Sequence, residues 1–167
     1  MNDLYISFVG TRPFKKWITS VILFPFAIYF IFTRGDYCLI DNANLIIHEA
    51  GHFFFSFFGT FIYAAGGTLM QIIFPLIIAF YFLLNGYRTG VQIFIFWLGQ
   101  NFINISVYAA DAQVQRLQLL GNGKHDWNYM LNKINLLAHA ETVGYIFFGM
   151  AIVVIFFALL LPLYLEE

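Results

Sequence analysis

Charged side chains are scarce in this sequence. Only 10% of its 167 residues are Asp, Glu, Lys or Arg, whereas an average soluble domain carries about 25%. Hydrophobic residues make up 61% of the chain and aromatic residues 21%, and the mean hydropathy is +0.78. Such a chain has too few polar groups to cover a water-facing surface, so the composition excludes an ordinary soluble domain and predicts an integral membrane protein.

Cysteine and clustered positive charge are nearly absent as well. Cys38 is the single cysteine, which excludes an internal disulfide and a zinc site built from cysteines. We expect its side chain to be a small buried apolar group. The formal net charge is −1, and no basic patch of the kind that binds nucleic acid is present, so we expect no nucleic-acid partner.

Long apolar runs dominate what remains. The sequence predicts an all-α membrane protein, a single polytopic domain over residues 1–167, in which about five helices form one compact bundle with a metal site in the bilayer. Glycine-containing turn signals, Gly66-Gly67 among them, separate the runs. The predicted spans are 17–32, which is slightly short for a membrane, 40–58, 67–84, 91–110 and 143–164.

The distribution of basic residues predicts the orientation. With a cytoplasmic N-terminus and five crossings, six of the eight Lys and Arg residues lie on the cytoplasmic side, and only Arg34 and Arg88 lie outside. Cytoplasmic loops carry an excess of positive charge. We therefore expect a multi-pass protein with a cytoplasmic N-terminus, provided that the second segment crosses the membrane rather than re-entering on the same side.

One motif carries recognisable chemistry. His48-Glu49-Ala50-Gly51-His52 holds two of the four histidines in the chain. Residues four apart lie on the same helix face, so His48 and His52 can bind one metal ion, and Glu49 can act on a metal-bound water as general base. Ionisable groups within membrane segments are costly and usually functional. The motif predicts a Zn²⁺ site, against the alternative of a purely structural polar cluster.

A catalytic zinc site normally takes a third protein ligand and keeps a fourth position open for water. Asp111, at the end of the fourth span, is the preferred candidate. His125, in the following loop with Asp126, is the second. The structural alternatives are an interface carboxylate near Arg116 for Asp111, and a helix cap for Asp126 on a helix from Trp127 to Leu137.

The segment around His48, Glu49 and His52 resembles the intramembrane zinc metalloproteases of the site-2 protease family, whose HExxH helix also lies in the membrane. Weaker similarities are Gly66-Gly67-Thr68 and the polar run before Asp111. That family typically takes its third ligand from an Asp in an Asn-Pro…Leu-Asp-Gly pattern, which is absent here. The stretch from His125 to Asn128 looks like an element of small membrane proteins related to these proteases, which supports His125 as a further ligand.

The resemblance implies an intramembrane zinc metalloprotease that hydrolyses peptide bonds of membrane-associated substrates. Gly66 and Gly67 could admit a substrate strand, although a simple turn is equally compatible. Asn101 and Asn104 could bind substrate, although holding helices together is the favoured role. The alternatives are a zinc hydrolase acting on a lipid amide or ester, and a non-enzymatic protein with a structural metal. The expected partners are a membrane protein or peptide, the lipid bilayer, and a second copy in a homodimer.

Overall fold

The computed structural model describes residues 15–118 and 125–165. Within these two ranges the regular secondary structure is entirely helical, as the sequence predicts. Short 3₁₀ turns are Ser56–Phe58, which follows Leu39–Phe55, and Leu137–His139 and Leu161–Leu163, which flank Ala140–Leu160. The helices are α1 (Ile18–Phe32), α2 (Leu39–Phe55), α3 (Thr60–Leu84), α4 (Arg88–Ala110), α5 (Asp126–Lys133) and α6 (Ala140–Leu160).

Three of these helices are long and apolar enough to cross a membrane. They are α3, α4 and α6, the last extended to Leu137–Leu163 by its flanking turns. The prediction of five spanning helices is therefore not met by the described part of the chain. Helix α1 has only 15 residues, fewer than the roughly 20 that a span needs. Helix α2 has 17, and a stripe of polar side chains runs along it.

That polar stripe faces the interior of the bundle. Asp41, Asn44, His48 and His52 recur at helical spacing along α2, and all four are buried. A polar face of this kind is stable only where neighbouring elements supply hydrogen-bond partners. Helix α2 therefore packs its polar face inward rather than presenting an apolar surface to lipid on all sides, as a simple span does.

Helix α3 begins earlier than the sequence predicts. The expected turn at Gly66-Gly67 is absent, and α3 runs without a break from Thr60. A Cβ added to Gly66 would lie 2.8 Å from the carbonyl oxygen of Gly51 on α2. Gly51 and Gly66 thus let the backbones of α2 and α3 approach closely, as small residues do between membrane helices. This packing offsets the low helix propensity of glycine.

Helix α4 lies at the centre of the bundle, between α3 and α6. Its buried side chains include Ile105 and Ala109, and α6 contributes Ala151, Ile155 and Ala158 to the same core. Small residues on α6 bring the two helices close together. On other sides of α4, Trp97, Gln100 and Asn104 form hydrogen bonds with α2 or α3.

Hydrogen bonds set the direction of α1 relative to α4. Ser20, near the start of α1, accepts a hydrogen bond from Gln92 (2.7 Å) and donates one to the carbonyl of Leu159 (2.8 Å). At the other end of α1, the Arg34 guanidinium donates to the hydroxyl of Ser106 at 3.0 Å. Helices α1 and α4 therefore run in the same direction.

This arrangement changes how many Lys and Arg residues lie on each side of the membrane, which was the basis for the predicted orientation. Arg12 and Lys124 lie outside the described residues. The remaining basic residues divide evenly between the end of the bundle where α4 starts and the end where it finishes. At the first end are Lys15, Lys16 and Arg88, and at the second are Arg34, Arg116 and Lys133. The cytoplasmic N-terminus stays a prediction, but without support from this charge balance.

Candidate metal centre

Three side chains converge beside the last turn of α4. The Nε2 atoms of His48 and His52 each lie 3.2 Å from the same carboxylate oxygen, Oδ2 of Asp126. The two histidines project from one face of α2, with ring centroids 4.9 Å apart. Asp126 is the first residue of α5, which folds back onto the bundle after α4. Among the described residues, these are the three that come together in a geometry that could hold a metal ion.

The other ring nitrogens of the two histidines are already engaged. Nδ1 of His48 lies 3.0 Å from Oε1 of Gln71, and Nδ1 of His52 lies 2.8 Å from the carbonyl oxygen of Tyr63. Both partners are acceptors, so each Nδ1 carries the proton in these bonds. A ring without a proton on Nε2 would direct the lone pair of that atom at the Asp126 carboxylate. Lone pairs and a carboxylate repel one another unless a proton or a metal cation lies between them.

The distances fit a metal ion. Zinc bonds of about 2.0–2.1 Å at tetrahedral angles place neighbouring ligand atoms about 3.3 Å apart. The two Nε2–Oδ2 distances of 3.2 Å match this spacing. Metal-bound histidines usually donate their second N–H to a carbonyl or a carboxylate, which fixes the ring orientation. Gln71 and Tyr63 provide such acceptors, so the donor set and its surroundings suit zinc.

Asp126 is held in place by a tyrosine and by the histidines. The hydroxyl of Tyr108 donates to Oδ2 at 3.2 Å and accepts from the backbone N–H of Asp126 at 3.1 Å. Burial alone would raise the pKa of Asp126, but hydrogen bonds from His48 and His52 outweigh it and lower the pKa to about 2. The hydrogen bond with Asp126 in turn raises the pKa of His52, against desolvation. The two histidines therefore favour the ionised form of this carboxylate.

Asp111 and His125, the two predicted third ligands, do not reach the histidines of the motif. They pair with each other, with 3.4 Å between His125 Nε2 and Asp111 Oδ2. The Asp111 carboxylate also accepts the backbone N–H groups of Arg116 and Leu117, at 2.8 and 3.0 Å. It closes the loop that follows α4, which agrees with the structural alternative of an end-of-span carboxylate near Arg116.

His125 is the cap of α5, a role that the sequence suggests for Asp126 instead. Its Nδ1 accepts the backbone N–H of Asn128 at 3.3 Å, and its ring lies 4.3 Å from that of Tyr108. Burial lowers the pKa of His125, which favours the neutral ring that capping needs. The helix it caps is Asp126–Lys133, shorter than the predicted one. His125 supports the metal centre indirectly, because it positions the residue that follows it.

Glu49 lies on the exposed side of α2, next to the two histidines along the chain. It makes no hydrogen bond or ion pair with the part of the chain that the structure describes. Its negative charge nevertheless acts on the site and contributes to raising the pKa of His52. An exposed carboxylate of this kind can accept a proton, as a general base must.

The four predicted substrate-binding residues have packing or positioning roles in the structure. Gly66 meets Gly51, and Gly67 faces the ring of His48. Asn101 is fully buried and donates to the carbonyl of Trp97 at 3.1 Å. Asn104 accepts from Gln71 at 2.8 Å and donates to Asp41 at 3.2 Å. Substrate binding by these residues stays a prediction.

Gly67 leads to a first testable expectation. A Cβ at this position would overlap the imidazole of His48, whose ring atoms are its three nearest neighbours. The backbone of α3 cannot move away, so the His48 ring must shift. Its Nε2 atom would then no longer point at Asp126. We expect Gly67→Ala to lower zinc affinity by at least the roughly 10- to 100-fold that follows loss of residues supporting a metal ligand. Competition with a chromophoric chelator measures this change.

Gly149→Ala is the matched control for that substitution. Gly149 is also a helical glycine, on α6, but a Cβ there has no atom within 4 Å. The alanine should leave zinc affinity unchanged and should slightly stabilise the helix. Wild-type zinc affinity in Gly67→Ala would show that the His48 ring does not need this space.

Four residues of the centre are not assigned to it by the sequence. Asp126 is only a secondary candidate there, and Tyr63, Gln71 and Tyr108 are not candidates for this role. A carboxylate directly after a histidine, at the start of a short amphipathic segment, is the only available signal for Asp126. The tyrosines and the glutamine carry no local signal, because their contacts join residues far apart in the chain.

No family model, no curated protein and no solved structure matches this chain.

Proposed function

We propose that this protein is a membrane-bound zinc hydrolase that cleaves peptide bonds of membrane-associated substrates. The observation that carries the proposal is the convergence of His48, His52 and Asp126, with both Nε2 atoms 3.2 Å from one carboxylate oxygen. Three helices long enough to span a membrane support the location. The similarity of the motif to the site-2 protease family supports peptide as the substrate class.

The number of ligands favours catalysis over a structural metal. Structural zinc sites are normally closed by four protein ligands, whereas catalytic sites have three and leave a position for water. Asp111 and His125, which could have closed the site, are occupied with each other. Within the described residues the candidate centre has three ligands, and Glu49 lies beside it on the accessible side.

The proposed mechanism assigns a role to each residue. His48, His52 and Asp126 would hold a zinc ion, which would supply a water with a pKa near about 7 and would polarise the scissile carbonyl. Glu49 would accept a proton from the water as the water oxygen bonds to the carbonyl carbon. Glu49 then donates the proton to the leaving amine nitrogen as the carbon–nitrogen bond breaks, which leaves a carboxylic acid and an amine.

The position of the site suits a substrate that enters from the membrane boundary. Tyr63 belongs to the first turn of α3 and Tyr108 to the last turn of α4, and both contact the centre. The centre thus lies near one end of two spanning helices rather than midway along them. Water can reach such a site, and a transmembrane substrate needs to unwind only near its end.

Metal removal and restoration test the proposal. Purified protein in liposomes is supplied with a transmembrane peptide carrying a fluorophore and a quencher, and in parallel with a fluorogenic lipid ester. We expect about one zinc per chain, hydrolysis of the peptide, loss of activity with 1,10-phenanthroline, and recovery when zinc is returned. Zinc-dependent cleavage of the lipid ester alone would make this a lipid hydrolase, and a protein without zinc would overturn the proposal.

A further inference from the structure

A chain of buried hydrogen bonds begins on the side of His48 that faces away from the proposed zinc. Gln71 accepts from Nδ1 of His48 at 3.0 Å, and its own amide nitrogen donates to Oδ1 of Asn104 at 2.8 Å. The amide nitrogen of Asn104 donates to Oδ1 of Asp41 at 3.2 Å. The chain passes from α2 to α3, then to α4, and returns to α2.

A second chain ends at the same carboxylate. The indole N–H of Trp97 donates to Oδ1 of Asn44 at 2.9 Å, and the amide nitrogen of Asn44 donates to Oε1 of Gln100 at 2.6 Å. The amide nitrogen of Gln100 donates to Oδ1 of Asp41 at 2.9 Å, and that of Asn44 reaches the same oxygen at 3.3 Å. Both chains therefore run in one direction, from donor to acceptor, towards Asp41.

Asp41 only accepts hydrogen bonds. Besides the three amide groups on Oδ1, its Oδ2 accepts the backbone N–H of Cys38 at 2.8 Å and is contacted by the Cys38 thiol at 3.0 Å. The residue is only 6% exposed. All five contacts come from donors, so they suit a carboxylate and leave no acceptor for a carboxylic acid proton.

In the first chain, the Asp41 carboxylate determines the orientation of the amides of Asn104 and Gln71. A primary amide can donate from nitrogen or accept at oxygen, and a flip exchanges the two. Because Asp41 cannot donate, Asn104 must turn its nitrogen towards it and its oxygen towards Gln71. Gln71 must then direct its nitrogen at Asn104, which leaves its oxygen for the Nδ1–H of His48.

We propose that Asp41 is a positioning residue for the metal centre, which selects the Nδ1–H tautomer of His48 through Asn104 and Gln71. That tautomer is the one that leaves the Nε2 lone pair free to bind a metal. The inference deepens the proposed function and rests on it for the role of zinc. The effect of Asp41 on the tautomer can be measured without metal once the Asp126 carboxylate, which lies 3.2 Å from Nε2, is removed.

The first test removes the negative charge at the end of the chain of hydrogen bonds. Asp41→Leu removes the acceptor, so Asn104 and Gln71 are no longer held in one orientation and His48 can adopt the Nε2–H tautomer. We expect zinc affinity to fall by about 10- to 100-fold, the usual effect of losing a residue that orients a metal ligand. Asp36→Leu, at an exposed aspartate of the preceding loop, is the control and should keep wild-type affinity.

A double variant separates this role from simple structural support. In Asp41→Leu with Gln71→Glu, the carboxylate moves next to His48. Asn104 can then donate to the carboxylate introduced at position 71, and His48 again donates from Nδ1. We expect the double variant to bind zinc more tightly than either single variant, a coupling that independent losses do not produce. Losses that add, or a double variant weaker than both singles, would overturn the proposal.

The ring nitrogens of His48 supply a readout that does not need zinc. The measurement uses zinc-free protein that carries Asp126→Ala, because the Asp126 carboxylate lies 3.2 Å from Nε2 and would itself hold a proton there. With ¹⁵N-labelled histidine, at about pH 8 and thus above the ordinary histidine pKa of about 6.5, the ¹⁵N shifts distinguish the two tautomers. In this background the native Asp41 and the double variant should show Nδ1–H, and Asp41→Leu a substantial share of Nε2–H. Unchanged shifts in Asp41→Leu would overturn the proposal. If this pattern appears but the protein with native Asp126 binds no zinc, only the proposed function is refuted.

Discussion

Asp126→Asn should abolish stable zinc binding. The substitution keeps the size of the side chain but removes the negative charge and the oxygen that both Nε2 atoms face at 3.2 Å. An amide is a far weaker zinc ligand than a carboxylate, and two histidines alone form an incomplete site. Because losing a residue that merely supports a ligand costs about 10- to 100-fold in affinity, we expect a larger loss here. The zinc content of purified protein, measured by elemental analysis, should fall to background.

Asp111→Asn is the matched control. Asp111 and Asp126 are similarly buried, with 10% and 14% of their side chains exposed, and each lies close to a histidine. Asp111 contacts His125 and the loop after α4 rather than the motif. Its amide variant should therefore keep about one zinc per chain. The reverse result, with zinc lost from Asp111→Asn and kept by Asp126→Asn, would make Asp111 the third ligand.

Glu49→Gln should keep its zinc and lose its catalytic activity. Glu49 is exposed and is not one of the three converging side chains, so its amide variant leaves the metal ligands intact. The amide cannot take a proton from water, and loss of a general base typically slows a reaction by about 10²- to 10⁴-fold. The turnover of the quenched transmembrane peptide and the zinc content should be measured on the same preparation.

Glu141→Gln controls for the loss of an exposed acidic group. Glu141 lies in the first turn of α6, is also exposed, and belongs to neither the motif nor the polar chains. Its variant should retain wild-type turnover. Full activity in Glu49→Gln would contradict the proposed mechanism even if the protein binds zinc, because another group would then have to accept the proton.

The sequence predicted correctly the features that depend on local periodicity and composition. The apolar runs at the third, fourth and last segments form long helices that could cross a membrane. The four-residue spacing placed His48 and His52 on one helix face, as helical geometry requires. These features depend on residues close together in the chain, so no knowledge of distant contacts was needed.

The errors share one physical cause, which is competition between local preference and packing. Gly66 and Gly67 indicated a turn, since glycine costs a helix about 1 kcal/mol relative to alanine. The close approach of Gly51, and the space that Gly67 leaves for His48, make the helix the better solution there. In the same way, the 40–58 segment has apolar composition for a span, but its polar face is buried against α3 and α4.

The carboxylate that lies beside His48 and His52 shows most clearly what the sequence could not decide. Asp111, His125 and Asp126 all adjoin the loop after α4, and any of them could have reached the motif on chemistry alone. The direction in which α5 begins determines which of the three residues lies beside His48 and His52. His125 turns inward to cap that helix and stack on Tyr108, which leaves Asp126 facing the histidines.

By itself, therefore, the sequence determined helices long and apolar enough to cross a membrane, and two histidines on one helix face. Only the tertiary structure decided which carboxylate lies beside the two histidines. It also decided that Gln71, Asn104 and Asp41 form a chain of hydrogen bonds that starts at Nδ1 of His48. The physical reason is that helical periodicity acts over a few residues. The polar contacts of this centre join residues up to 78 positions apart, and they exist only once the helices have packed.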